Sequence, residues 1–504
     1  MKKFTLLFSF LIGVVGMMSA QQRYVDEIFT DVEVTENVVY GLNATVLLVA
    51  SAGEAVPQPL VSDVYTPMGD TETSRPLVLI AHTGNFLPPS FNGGCGGTIK
   101  DADVVETAKR LARMGYVAVT FDYRIGWDPT NPDQAIRVAT IINAAYRGVQ
   151  DSRTAVKYYR NSADSGGNPY GIDPSKIVMW GFGTGAYITY GSATLNAISD
   201  TYIPEFLLSI DPFIPMVIEP INGDLNADNV GIAGMYPPFP DGDTLCYPNL
   251  PGVDASFNLA VQMGGALGDT SWITPGDVPM ISFHVPTDPF APCTEAVLSV
   301  PPPVNLPVVE VNGACLTIPT AVAEGVNDVF ATKEYIDDYT AVANERSGGT
   351  EGLFLFPSND PAESAPWNFA YNENPYGVAP VPCDTNSVDA MVHMDTVMQY
   401  YIPRACITLD LGCDLAAYTN TDEIQALQVG LKAAPNPSRN HIQITADKQI
   451  NQIFVYDMAG RVVKFYGNIN TTTFDLYRSQ IGPGMFVAQV YFDEGIVAEK
   501  LIFN

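Results

Sequence analysis

Between residues 76 and 210 the hydrophobic positions alternate between two periods. "PLVLIAH" (76–82) is an unbroken apolar run, the pattern of a strand covered on both faces. "DADVVETAKRLARM" (101–114) sets Val104, Ala108, Leu111 and Ala112 at helical spacing, and Gly115 supplies the stop. "YVAVTFDYR" (116–124) predicts the next strand and 134–161 a long helical stretch of one or two helices. "KIVMWG" (176–181) predicts a third strand, and "ITYGSATLNA" a helix after it. Strand alternating with helix predicts a mostly parallel, doubly wound α/β sheet with helices on both faces. From 211 to 275 prolines and glycines break the pattern, which predicts an irregular cap over the sheet edge. Strands resume at "VPMISFH" (278–284) and "GLFLFP" (352–357), and a helix is expected from about Ser387 to Tyr401.

The two ends of the chain follow other patterns. Lys2 and Lys3, an apolar run from Phe4 to Met18, and the small pair Ser19-Ala20 predict a signal peptide over 1–20. No later segment is apolar enough for long enough to cross a bilayer. Residues 416–430 read as a linker. Residues 431–504 carry short alternating strands, with turns at Met458-Ala459-Gly460, Gly482-Pro483-Gly484 and Asp493-Glu494-Gly495, and predict a small all-β sandwich.

Composition narrows the partners. The net charge of −30 argues against nucleic acid and anionic lipid, both polyanions. The seven cysteines are Cys95, Cys246, Cys293, Cys315, Cys383, Cys406 and Cys413; they contain no C-x-x-C pair, so in an exported chain they read as disulfide partners. That reading covers Cys95 in "FNGGCGG" as well, in preference to a reactive thiol. The odd number leaves at least one unpaired in a monomer, and spacing does not fix the connectivity. No cofactor is implied.

The stretch "MWGFGTGAY" (179–187) has the outline of a nucleophile elbow, G-x-S-x-G, with Gly181 and Gly185 in place and Gly183 where the serine belongs. Three further stretches accompany it: "LIAHTGNF" (79–86), "VTFDYRIGW" (119–127) and, after "YGIDPSKI" (170–177), "ISFHVPTDPFAP" (281–292). In this order they resemble the carboxylesterase and lipase branch of the α/β-hydrolase fold, which places an α/β-hydrolase-like domain over 21–415. The resemblance implies an oxyanion loop at His82, Thr83 and Gly84, altered by Asn85, and a triad acid at Asp288. It implies that the nucleophile position is Gly183 and is vacant. Thr184 is the substitute nearest to hand, but its side chain is expected to point away from the site while its N–H serves the oxyanion. Of the four histidines, His82 opens the oxyanion loop, His284 ends a strand and His441 lies in the last module; His393 remains as the candidate base, in a helical pattern. The loop 358–377, where such a base belongs, contains no histidine. Asp288 and His393 are thus candidate triad remnants.

The last module resembles the C-terminal sorting domains of type IX secretion cargo, through Pro435-Asn436-Pro437, Tyr456-Asp457-Met458-Ala459-Gly460-Arg461, Gly484-Met485-Phe486 and Lys500-Leu501-Ile502-Phe503-Asn504. That implies the type IX secretion machinery as partner and a secreted or cell-surface location. "DLNADN" (224–229) opens like a calcium loop with Asp224, Asn226 and Asp228, but Asn229 and Met235 stand where glycine and glutamate are needed, so a solvated turn is the preferred reading and no metal is assigned. The chain therefore reads as a secreted, carboxylesterase-like protein without its serine, acting as a binding or surface protein toward a small ester or surface ligand. The alternative is an active secreted ester hydrolase with a displaced nucleophile; a third reading is a calcium-stabilised adhesion protein. A hydroxyl or thiol within reach of a histidine would favour the enzyme.

Overall fold

The computed structural model describes residues 21–92, 94, 96–234, 239–288, 290–300, 305–332, 335, 337–357, 364–366, 369, 387–413, 415, 429–458, 461–467, 469–492 and 495–504. The expected signal peptide, Cys95, Cys383, Met235, most of the 416–430 linker, most of the 358–377 loop and the turn residues Ala459, Gly460, Asp493 and Glu494 lie outside them. The chain forms two compact units, one up to 334 together with 339–413, the other 335–338 with 414–504.

The first unit is built on eight strands: β1 (Val32–Thr45), β2 (Val56–Pro67), β3 (Arg75–Ala81), β4 (Val117–Phe121), β5 (Ile172–Phe182), β6 (Leu259–Met263), β7 (Met280–His284) and β8 (Leu353–Leu355). Their order in the sheet is β1-β2-β4-β3-β5-β6-β7-β8. β1 and β2 run antiparallel to their neighbours, and every pairing from β4 to β8 is parallel. This is the α/β-hydrolase fold. The helices that cover the sheet include α1 (Ala102–Arg113), α2 (Gln134–Asp164), α3 (Thr184–Thr194) and α4 (Ser387–Thr408). All residues of β3, β4, β6 and β7 are buried, which explains their continuous apolar runs.

Three expectations change. The stretch 134–161 lies in a single helix of 31 residues, Gln134–Asp164. The helix from Ser387 continues to Thr408. Inside the supposedly irregular stretch 211–275 lies β6, paired on both sides at the centre of the sheet. "LAVQM" has only five residues and no alternation, and it stands among prolines and glycines. Its polar residue, Gln262, is satisfied internally by Ser282 Oγ and the Gly265 N–H. Around it lie short elements, including the hairpins of Leu207–Ser209 with Ile214–Pro215 and Gly231–Ile232 with Thr244–Cys246, as a loosely structured cap requires.

One ion pair joins sheet, helix and cap. Arg124, just past β4, and Asp151 on α2 have no solvent-exposed side-chain surface, and Arg124 Nη2 lies 2.9 Å from Asp151 Oδ1. Arg124 also donates to Gln150 Oε1 and to the carbonyl of Leu245 in the cap, and its backbone N–H donates to Asp151 Oδ2. Disulfides link Cys293 to Cys315 and Cys406 to Cys413, while Cys246 is free and buried.

The second unit packs a three-stranded sheet (Lys432–Ala434, His441–Ile450, Thr471–Tyr477) and a four-stranded antiparallel sheet (Val462–Tyr466, Gln452–Asp457, Gly484–Phe492, Gly495–Phe503) around Ile442, Ile444, Ile453, Val455, Leu476, Val490 and Leu501. The sandwich is as expected. Gly482-Pro483-Gly484, however, is not a hairpin turn: the strands on either side of it belong to different sheets, so the chain crosses over there.

Removing the carboxylate of Asp151 leaves Arg124 buried without a counter-charge. Asp151→Ala is expected to lower stability by about 3–5 kcal/mol, read by urea unfolding; a loss below about 1 kcal/mol would show that the pair does not hold the cap to the sheet.

Candidate active-site cleft

The elbow forms where β5 passes into α3. Gly183, at its tip, has φ 52° and ψ −115°, a backbone conformation that a residue with a side chain adopts only under strain. Its N–H donates to the Met263 carbonyl, and its carbonyl accepts from Ala186 and Tyr187, so the turn is tied both to β6 and to its own helix. The flanking glycines are needed for closeness. A Cβ on Gly185 would stand 2.3 Å from the Ala81 carbonyl oxygen, and one on Gly181 would stand 2.1 Å from that of Gly185. The frame of an elbow is complete, and its central position carries no side chain.

Thr184 is buried, and its Oγ1 lies 2.9 Å from the hydroxyl of Tyr123. Tyr123 donates in turn to the His82 carbonyl at 2.9 Å, so Thr184 acts as a donor to Tyr123. Tyr123 therefore couples the residue after the elbow tip to the oxyanion-type loop. In that loop Gly84 has φ 131°, and a Cβ there would meet Gly97 Cα at 2.9 Å. Asn85 and Phe86 also have positive φ, and Asn85 is held by its side-chain bond to the Asn92 carbonyl and by Trp127, whose indole N–H donates to the Asn85 carbonyl.

His82 is buried and stacks on Tyr123 with ring centroids 4.6 Å apart. Its Nδ1 faces the Thr83 carbonyl and its Nε2 lies 2.9 Å from Asp122 Oδ1. Both partners are acceptors, an arrangement that favours a ring protonated at both nitrogens. Burial opposes that charge; the hydrogen bond and charge of Asp122, with Asp101 nearby, outweigh it and raise the pKa of His82 above its ordinary value.

Asp288 and His393 are brought to the same end of the sheet, but a third residue stands between them. Asp288 is buried; its Oδ1 accepts from the N–H groups of Phe290 and Ala291, and its Oδ2 accepts from the hydroxyl of Ser364 at 2.5 Å. Ser364, fully buried, also accepts from the Val285 N–H. The Ser364 backbone is beside His393, whose ring stacks on Phe356 at 4.0 Å. His393 Nε2 has no hydrogen-bond partner, and burial pushes its pKa down to about 3. His284 is buried too, bonded through Nε2 to the Ala291 carbonyl, with its pKa lowered by burial. Among the described residues no serine, threonine or cysteine side chain is hydrogen-bonded to a histidine ring. Ser364 gave no signal in the sequence, because its loop was informative only for the histidine it lacks.

The calcium-like loop is held by cations of the chain itself. Lys157 Nζ lies 2.5 Å from the Asn226 carbonyl and 2.7 Å from Asp228 Oδ1, Arg153 donates to Asn226 Oδ1, and Asp224 Oδ1 accepts from the N–H groups of Asp228 and Asn229. The oxygens that would face a metal thus face an ammonium, a guanidinium and backbone N–H groups.

Gly183 and Thr184 open onto a cavity of about 210 Å³, bounded also by Thr83–Phe86, Trp127, residues of α2, and Phe206 and Trp272 on the cap side. One wall is the hairpin Glu295–Ser299 with Pro307–Gly313, closed at its base by the Cys293–Cys315 disulfide. Asp288 and His393 do not line it.

Residues 62–206 match the family BD-FAE. Residues 432–504 match the secretion system C-terminal sorting domain. Three esterases are among the similar solved structures. Esterase 2 of Thermogutta terrifontis, phosphorylated by paraoxon, is 16% identical, with 69% of this chain and 89% of that chain covered and a TM-score of 0.32. Inhibited esterase B of Lactobacillus rhamnosis is 14% identical over 35% and 44% of the two chains, at a TM-score of 0.21. Brefeldin A esterase, a bacterial homologue of human hormone sensitive lipase, is 18% identical over 32% and 35%, at 0.21. No curated protein matches the chain. No described helix is long and apolar enough to cross a membrane.

The histidines set opposite pH dependences. His82, with its pKa raised, contributes stability that is present below about 6.5 and is lost as pH rises through its folded-state value. His284 and His393, with lowered values, contribute stability that is present above about 6.5 and is lost as pH falls below it. In thermal melts, His82→Gln is expected to lower stability below 6.5, where His82 contributes it, and to flatten the further loss on the alkaline side, with the slope of the acid limb unchanged. An unaltered alkaline limb would rule out a raised pKa at His82.

Proposed function

We propose that this protein is a secreted, esterase-like binding protein that keeps the cleft of a serine hydrolase and has given up its reaction. The observation that carries this is Gly183, at the tip of an otherwise complete elbow that opens onto a cavity. Supporting it, Thr184, the nearest substitute, is engaged with Tyr123. Asp288 has its carboxylate taken up by two backbone N–H groups and Ser364, which leaves it poorly placed to orient a base. His393 is held off the proton by burial and stacked on Phe356. A nucleophile without a base would stay protonated and weak. The oxyanion loop, its glycine and the Tyr123 bridge remain as a preformed frame for a ligand.

Two outcomes follow. The protein is expected to show no labelling by a fluorophosphonate probe and no hydrolysis of short nitrophenyl esters above a heat-killed control. Gly183→Ser is expected to stay inactive and to lose on the order of 1–3 kcal/mol, because serine must hold the strained elbow angles; robust turnover by that variant would mean the acid and base had survived. Separately, deleting 431–504 should stop the protein reaching the medium or cell surface while the first unit still melts cooperatively. Normal secretion of the truncated chain would contradict a sorting role for this module.

A further inference from the structure

The cap carries an apolar surface that the described residues leave bare. In the hairpin of Leu207–Ser209 with Ile214–Pro215, the side chains of Leu208, Ile210, Phe213 and Ile214 are exposed, Ile210 at 72% and Phe213 at 54%. Tyr202 joins them, its ring 5.4 Å from that of Phe213. The hairpin is anchored at its base: the Met216 N–H donates to the Phe206 carbonyl, and the buried Phe206 ring packs edge-to-face on Trp272. An anchored hairpin that holds five apolar side chains in water has the form of an interaction surface. Its electrostatic setting is one-sided. Between Lys176 and Lys333 the sequence has 16 aspartates and glutamates and no lysine or arginine. Glu205 and Asp211 flank the first strand of the hairpin, and both are exposed and in no ion pair among the described residues. The cations that reach this segment come from α2 and are used there: Arg153 donates to the Ser192 and Leu195 carbonyls, Arg137 to that of Pro307, and Lys157 pairs with Asp228. The tip of the hairpin is therefore apolar, and the charge of its own segment is wholly anionic.

We infer that this hairpin docks a basic amphipathic segment of another protein, whose apolar side chains pack on Ile210, Phe213 and Tyr202 and whose lysines or arginines face Glu205 and Asp211. Charge decides among the occupants that an apolar face can take. Nucleic acid and anionic membranes are repelled by a chain of net charge −30. A second copy is disfavoured for the same reason, because a two-fold contact would set Glu205 and Asp211 against an identical acidic surround. A cationic, apolar partner gains both from the area it covers and from opposite charge. Size decides its form. Five side chains fall well short of the about 20–30 residues a side of a stable interface, so the occupant is a short segment, held weakly, and not a folded domain. The inference is independent of what the cleft binds and of whether it turns over an ester.

The test uses the full secreted protein and a labelled helical peptide of about 14 residues, four turns long, with leucines on one face and lysines on the other. Titration by fluorescence anisotropy is expected to show saturable binding in the micromolar range. Ile210→Ser combined with Phe213→Ser should weaken it about tenfold, and so should Glu205→Lys combined with Asp211→Lys, in variants whose thermal melts match the parent. Raising the salt from about 0.05 to 0.5 M should weaken binding to the parent and have much less effect on the charge-reversed variant. Two companion peptides separate the chemistries, one with glutamates in place of the lysines and one with glutamines in place of the leucines; each should bind about tenfold weaker. A glutamine peptide that binds as well as the first would show only a general attraction of polycations to an acidic protein. A glutamate peptide that binds as well would show only apolar contact. Either result overturns the inference, as would no binding by the folded protein or binding untouched by both pairs of substitutions. It is equally overturned if the hairpin substitutions abolish binding to phosphatidylcholine vesicles or abolish a dimer of the parent protein, since the face would then belong to a lipid surface or to a second copy.

Discussion

The first unit depends on how closely its backbone packs at the elbow. The first turn of α3 lies so near β5 that no side chain fits at position 181, and so near the end of β3 that none fits at 185. That contact sets the angle at which α3 leaves the sheet, and therefore where its first N–H groups point. Tyr123, arriving from β4, spans the remaining gap between α3 and the His82 loop. Backbone approach sustains the arrangement with no side chain at the tip. Glycine at 183 is the residue that this geometry tolerates best.

Much of the fold was legible because buried parallel strands have to be apolar on both faces. β3, β4, β5 and β7 announce themselves in this way, and the elbow follows from glycine spacing alone. β6 was hidden because five residues hold too little pattern to stand out from an insertion rich in proline and glycine, and only pairing with β5 and β7 identifies it. The same limit hid the crossover at Gly482-Pro483-Gly484, since a turn motif states that the chain reverses and does not state which sheet receives it.

The site was less legible than the fold, for a reason of chemistry. The vacancy at Gly183 is a single letter and can be read directly. What became of Asp288 and His393 depends on neighbours far away in sequence: Ser364 from one loop, Phe356 from the end of another strand, and the backbone of 290 and 291. Each saturates or buries a group whose type alone suggested catalysis. A carboxylate and an imidazole in one fold make a dyad only when nothing else satisfies them first.

The loop at 224–229 shows a different kind of economy. Secreted proteins often borrow a divalent ion from the surroundings to gather acidic loops. Here the gathering charge is Lys157, covalently part of the helix beneath the loop and fully shielded from solvent. A tethered ammonium cannot be diluted away or stripped by a competing chelator, and it arrives with the polypeptide during folding. The cap is therefore fastened by a cation whose supply is set by translation and not by the mineral content of the medium into which the protein is released.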